Sequence, residues 1–456
     1  MKQTLILFFI LTISTWSNAQ DYGMGLILDV SNYNNMPLMA ERLTRDYTVL
    51  PSSYSLEQYC PETGNQKQYG TCSAWSSAYA ARTMAEAIAN EWTDKTKITA
   101  EAFSPWFLYT NVKWSNDYNC SKGATLNSVF DCLKNKGVPK LKDYNSPCET
   151  SISSSVYSLA YAHRLENYQI LYSYEPGYNL TKITKVKKAI SEKHPVVIGM
   201  EIGGSFNGTV GDCWDGNFYG KTGQHAMCVV GYDDNKYGGA FKILNSWGAG
   251  WRSNGYVWVK YDDFAKYVWG AVEMYVPQKQ SNNIHLLSGS LKLQLSTGEE
   301  MRGSLSNGIY KISGEYISGT RYRIYISNNQ PAYVYVIGSD LQNNVSKVFP
   351  PNDHISPALT YKSNNIAIPD EKWFVQMDNT VGKDYICVLY SAEELDINAV
   401  VNKIRNGYGS FYDKVSSALS GKLATSGDVN FSQNTISFSA QTNKTVVAVI
   451  AEVVHK

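Results

Sequence analysis

Apolar positions change their spacing along this chain, and the changes divide it. Near the N-terminus, Leu5 to Ile13 form a short apolar run that follows Lys2 and precedes Ser17-Asn18-Ala19. A positive start, a short apolar stretch and small residues at a cleavage position read as a secretory signal peptide over residues 1–19. The run falls short of the roughly 20 residues that cross a bilayer. The expectation is therefore a secreted or periplasmic protein, with no membrane insertion after signal cleavage. Residues 20–50 form a short leader without sustained periodicity, holding Leu26-Ile27-Leu28 and then Met36, Leu38 and Met39 around Pro37. Apolar residues next recur at helical spacing, from Ala74 through Ala78, Ala81, Ala85 and Ile88 to Trp92. That pattern predicts a helix beginning near Thr71, with Cys72 in its first turn. Helical and strand patterns mix over 51–278, and a polar stretch at 279–284 reads as a linker.

Beyond it, residues 285–456 alternate in period two, as in Arg321–Ile326 and Tyr333–Val336, the signature of half-buried strands. Asn328-Asn329-Gln330-Pro331 suits a hairpin turn between those two runs. One helix is expected from Ala392 to Leu419, then strands at Val429–Phe438 and Thr445–Val454.

Composition narrows the function classes. With 456 residues the chain holds two or three domains, and 43% hydrophobic against 18% charged residues rules out wholesale disorder. A formal net charge of +1 removes the electrostatic case for nucleic-acid binding, which needs a basic excess. Eight cysteines show no metal-ligand spacing with histidine, so neither a metal nor a cofactor is expected. Cys132 and Cys148 flank the loop around Gly137-Val138-Pro139. A bridge between them would close a modest loop worth roughly 3 kcal/mol.

Three places carry candidate chemistry. Cys72 would sit at a helix N-terminus, where unpaired amides and the helix dipole favour a thiolate; the bland reading is a small residue packing an Ala-rich helix. His225 opens the apolar strand Ala226–Val230, and alone it reads as a structural hydrogen-bonder. Asn245 ends the apolar run Lys242–Leu244 and meets Ser246-Trp247-Gly248-Ala249-Gly250-Trp251, which alone is an ordinary turn.

Together, over about residues 51–278, these strings resemble the papain-like cysteine peptidases. Gln66, Cys72, His225 and Asn245 fall in that family's order, and the string from Asn245 through Trp251 to Asn254-Gly255-Tyr256 is highly specific. The resemblance implies an α+β, two-lobed fold: a helical lobe with Cys72, a sheet-rich lobe with His225 and Asn245, and a cleft between. It implies hydrolysis of protein or peptide substrates, with Cys72 as nucleophile, His225 as its proton partner, Asn245 orienting the imidazole and Gln66 in the oxyanion hole. Trp247 would cover the His–Asn contact, Gly123 would pair with substrate backbone, and Ala226 would border the pocket for the residue second from the scissile bond. Three positions depart from the family pattern: Lys67 replaces the usual Gly, Ser73 follows the nucleophile, and Tyr69 replaces a bridging Cys. The rival is a catalytically silent papain-fold binding protein with recognition by the C-terminal domain.

The tail resembles a β-rich accessory domain of unknown function, through Ser318–Ile324, Asn329–Tyr335 and Ser363–Pro369. Its aromatic stripe suits strand packing, with a surface or glycan partner as the alternative. The leader lacks the helical periodicity of the family's long pro-segments, so the expectation is a short latch, laid extended on the cleft or packed on the lobe beside it, with a disordered or simply packed N-terminal arm as the alternative. Arg42 and Arg45 would then offer an exposed chain to a trypsin-like enzyme.

Overall fold

The computed structural model describes residues 22–47, 49–149, 151–208, 211–220, 222–276, 284–340 and 344–456. The signal-peptide run and nearly all of the linker at 279–284 lie outside the described residues. No helix of the described residues is long and apolar enough to cross a membrane.

The first half folds as two lobes on one continuous core. A helical run begins at Cys72, passes through a π-helical stretch at Trp75–Arg82 and continues over Thr83–Ala89. Its small side chains explain this burial: Ala74, Ala78, Ala81 and Ala87 let neighbouring elements approach a helix with 0% exposure at each. Around it pack the helices Pro105–Val112 and Leu126–Asn135. Ser104 accepts from the Phe107 amide, with Pro105 in the first turn, and Thr125 caps the second helix through Ser128.

The other lobe is an antiparallel sheet in the order Asn167–Ile170, Val268–Tyr275, Val196–Ile202, Gly223–Asp233, Ala240–Leu244, Tyr256–Lys260. Gly223–Asp233 lies inside this sheet and is buried along most of its length, which is why it reads as a continuous apolar run rather than an alternating one.

The tail is a sandwich of two sheets. One is ordered Val345–Phe349, Ala332–Ser339, Gly382–Ser391, Val446–His455, Ile309–Tyr316, Gly303–Ser306; the other Asn364–Ile368, Arg321–Asn328, His285–Leu295, Ser437–Thr442, Val429–Phe431. One apolar cluster fills the space between the sheets, and another lies between the first sheet and a helical layer.

Several expectations are corrected here. Arg321–Asn328 and Ala332–Ser339 belong to different sheets, so Asn328–Pro331 is a crossing and not a hairpin turn. The Asn328 side chain pins that crossing by donating to the carbonyls of Gln330, Leu359 and Tyr361. The single helix expected over 392–419 is two, Ile397–Arg405 and Phe411–Ala418, divided at Gly407 and Gly409, the latter at φ +92°. The expected strand Val429–Phe438 is two strands paired antiparallel. The aromatic stripe is largely interior, with Tyr322, Tyr333 and Tyr335 buried. The disulfide joins Cys120 to Cys148, while Cys132 is free and buried on the helix face that meets the core. Cys120 and Cys148 both lie in loops, with Cα atoms 5.8 Å apart.

The leader is well packed. Tyr33, Met36 and Met39 are 2% exposed within the peptidase core. Leu38 forms parallel bridges with Ile170 on one side and Ile355 of the tail on the other. Arg42, expected to be exposed, is instead buried: Nε donates to Asn364 Oδ1 at 2.6 Å and the guanidinium lies 3.8 Å over the Tyr361 ring. Next to it Glu273, fully buried, accepts from Gln169, Tyr275 and Tyr361.

Candidate active site

Cys72, His225, Asn245 and Gln66 come from four elements and meet at the junction of the lobes. Cys72 opens its helix, and its Sγ accepts from the Ala226 amide at 3.5 Å. That contact sets the residue after His225 against the thiol. His225 Nε2 lies 2.7 Å from Asn245 Oδ1, which also accepts from the Ser246 amide at 2.8 Å. An amide oxygen can only accept, so Nε2 carries the proton and Nδ1 of the neutral ring presents its lone pair. Among the described residues Nδ1 has no hydrogen-bond partner. The Trp247 ring lies 4.7 Å from the His225 ring, tilted by 31°.

Gln66 is wholly buried and oriented from two sides. Its Oε1 accepts from Ser246 Oγ at 2.6 Å, and its Nε2 donates to the Tyr69 carbonyl at 2.7 Å. Lys67 adopts φ +56°, a conformation that favours glycine, with its amide donated to Asn65 Oδ1. This turn has kept its shape without the usual residue. Tyr69 meets Trp106 edge-on at 5.3 Å, an aromatic brace where the family's disulfide is missing.

Across the cleft, Gly123 sits at φ +85° and donates its amide to Tyr109 Oη. Tyr109 Oη in turn donates to Asp117, which also accepts from the amides of Ser121 and Lys122. Sequence reading missed Ser246, Tyr109 and Asp117, since a polar residue that supports a loop from beneath carries no local motif.

The leader occupies the cleft. Tyr22 stacks on Trp247 at 4.6 Å, and the Gly23 carbonyl accepts from Gln66 Nε2 at 3.0 Å and Trp247 Nε1 at 3.1 Å. Ala124 donates its amide to Gly25 and accepts from Ile27, while Leu26 donates to Gln224. Glycine is required at 25: a Cβ there would lie 2.0 Å from the Gly70 carbonyl oxygen. The Gly25 backbone amide reaches the thiol. A cavity of about 400 Å³ remains open beside the leader, lined in part by Gln68, Lys122, Thr222 and Gln224.

Under this cover burial pushes the Cys72 thiol up, against the lowering effect of amides from Ala226 and Gly25. Burial also pushes the His225 imidazole down to about 4, against the raising effect of Asn245. Burial thus disfavours the charged form of both groups. Among the described residues no group of three or more His, Cys, Asp or Glu could hold a metal ion.

Residues 50–273 match the papain family cysteine protease model, and residues 315–394 match a domain of unknown function (DUF4384). Over that first span the chain belongs to the papain family, and it is a cysteine-type peptidase. Similar solved structures include xylellain, a cysteine protease from Xylella fastidiosa, at 20% identity and TM-score 0.45, covering 57% of this chain and 97% of its own. Digestive procathepsin L 3 of Tenebrio molitor larval midgut has 17% identity and TM-score 0.41, covering 54% and 77%. A bromelain protease from Ananas comosus, in complex with the E64 inhibitor, has 19% identity and TM-score 0.38, covering 50% and 100%. No curated protein matches.

Proposed function

We propose that this protein is an exported peptidase that cleaves peptide bonds through an acyl-enzyme on Cys72, and that the leader-covered form is latent. The observation that carries the reading is the chain of contacts from Cys72 Sγ to the Ala226 amide, and from His225 Nε2 to Asn245 Oδ1. It leaves His225 Nδ1 free to take the thiol proton. The thiolate then attacks the scissile carbonyl carbon, forming a C–S bond, while Gln66 Nε2 and the Cys72 amide stabilise the developing oxyanion. The Nδ1 proton passes to the leaving amine as the C–N bond breaks. Water, deprotonated by the same nitrogen, releases the acid and restores the thiol. Asn245 holds the ring in the tautomer that both steps need. Trp247 shields that contact, and Ala226 with the Gly123–Ala124 loop borders the substrate. Export rests on the pattern of Lys2, the apolar run and Ala19.

Iodoacetamide labelling at mildly acidic pH tests the pairing, in protein whose leader has been displaced. Cys72 is expected to label quickly because a thiolate beside an imidazolium persists where ordinary thiols are protonated. Burial pushes up the thiols of Cys60, Cys132, Cys228 and Cys387, so these should stay slow. His225→Ala should slow the labelling of Cys72 sharply. Equal rates with and without His225 would sink the assignment.

A further inference from the structure

The leader has two halves that are held by different things. Residues 22–28 lie on the cleft of the peptidase domain alone, through one aromatic stack, the buried Leu26, the Gln66 and Trp247 side chains on the Gly23 carbonyl, and a few backbone hydrogen bonds. From Tyr33 onward the chain is part of the fold. Tyr33 Oη accepts from the Ala271 amide at 2.9 Å and donates to the Tyr172 carbonyl at 3.0 Å. Pro37 and Met39 bond to both sides of Ile170, and Leu38 bonds to His354 and Ser356 of the tail. Arg42 places its charge among Tyr361, Tyr47 and the buried Glu273 carboxylate. Thr44 donates to Glu371, and Asp46 accepts two bonds from Asn365. Removing 33–47 would strand buried backbone groups on both domains and take the Arg42 charge away from Glu273 and Tyr361.

Between the halves lies a single helical turn, Val30–Asn34, capped by Asp29. Val30, Ser31 and Asn32 are exposed, while Tyr33 is buried. One short turn is little protection against local opening, so this is where a peptidase can reach the chain.

We propose that the activating cut falls between Asp29 and Tyr33, and that residues 33–47 remain in the active enzyme as a permanent strut between its domains. The step is hydrolysis of one backbone amide by water, catalysed by a separate peptidase molecule; it leaves a new carboxylate on the released piece and a new amine on the retained one. Once cut, the front half loses its tether and with it the high effective concentration that kept it on the cleft, and it diffuses away. A cut after the exposed Arg45 would not have this result, because Tyr33 to Thr44 would still hold the front half in place.

The proposal rests on the reading of Cys72 as the nucleophile, and the experiment separates the two. A recognition site for a sequence-specific protease, absent elsewhere in the chain, is inserted after Ser31 in one full-length protein and after Tyr47 in another. After the first cut, the N-terminal piece is expected to be lost on gel filtration. Iodoacetamide labelling of Cys72 and hydrolysis of a fluorogenic dipeptide should each rise at least tenfold. After the second cut, residues 22–47 should co-elute with the body and both rates should stay at the uncut level. Loss of residues 22–47 from a still-folded body after the second cut would overturn the strut. Unchanged Cys72 labelling after the first cut would overturn the position of the activating bond. Labelling that rises without hydrolysis leaves the division of the leader standing and removes the peptidase reading instead.

Discussion

Residues 22–28 and 33–47 are neighbours in sequence, both largely covered, yet their contacts are of opposite kinds. The front half presents Tyr-Gly-Met-Gly to backbone, an indole and the Gln66 amide of one domain, and seats only Leu26 deeply. The rear half inserts Tyr33, Met36, Met39 and Arg42 into sites that nothing else fills. Burial of large side chains and of a charge held by hydrogen bonding and an aromatic face is costly to undo. A contact with one domain, made mostly by backbone and one deeply seated leucine, costs less to undo. The difference teaches that a covered segment is removable or permanent according to what its side chains do, whatever its total burial.

The comparison breaks most visibly at Arg42. Arg42→Ala removes a fully buried side chain, its bond to Asn364 and its stacking over Tyr361, and should cost about 3–4 kcal/mol. Denaturant unfolding should show that loss, with no gain of peptide hydrolysis while the protein stays folded. A stability change under 1 kcal/mol would mean the rear half is not structural.

Acidification should act on the front half. The covered His225 is held near 4, below the ordinary 6.5, so an open, hydrated site binds a proton that the covered site refuses. Covering is therefore favoured in full above about pH 6.5 and loses strength as pH falls toward 4. If the leader supplied all of that burial, the effect would reach about 3 kcal/mol. Cys72 labelling of the uncut protein should accordingly rise between pH 6.5 and 4. A flat profile would mean that His225 is buried by its own lobe and not by the leader.

A smaller effect sharpens the contrast. Gly25→Val places a Cβ against the Gly70 carbonyl and should lift the front half off the cleft. Hydrolysis by the uncut protein should rise at least about tenfold, a change of about 1.4 kcal/mol, while global stability moves by less than about 0.5 kcal/mol. A variant that unfolds earlier without gaining activity would place residue 25 with the strut.

Much of this was legible in the chain. The helix at Cys72 and the strand at His225 followed from periodicity, because small or continuous apolar residues can be buried in few ways, and the α+β, two-lobed fold followed from the family resemblance. The site's members came from local strings, since the turn after Asn245 needs its glycines and tryptophans close in sequence. What escaped was set by distant partners. Asn328 looks like a turn residue until its amide is seen bonding carbonyls around Leu359 and Tyr361. Cys148 has two cysteines upstream at short range, both buried, and only the fold shows that the Cα of Cys120 comes within 5.8 Å of it while Cys132 stays free on a helix. Arg42 reads as a solvated cation because its counter-charge lies 231 residues away at Glu273. The leader's alternating glycines, at 23 and 25, were a signal of close backbone approach that periodicity scans pass over.

The pairing of Leu38 has a mechanical corollary. Its residue lies between Ile170 and Ile355, so sheet hydrogen bonds run from one domain through the leader into the other. The two domains are thereby joined in series by backbone rather than by a hinge. They should melt in one calorimetric transition, and the amides of Met39 and Ser356 should exchange with deuterium only as slowly as the whole molecule opens.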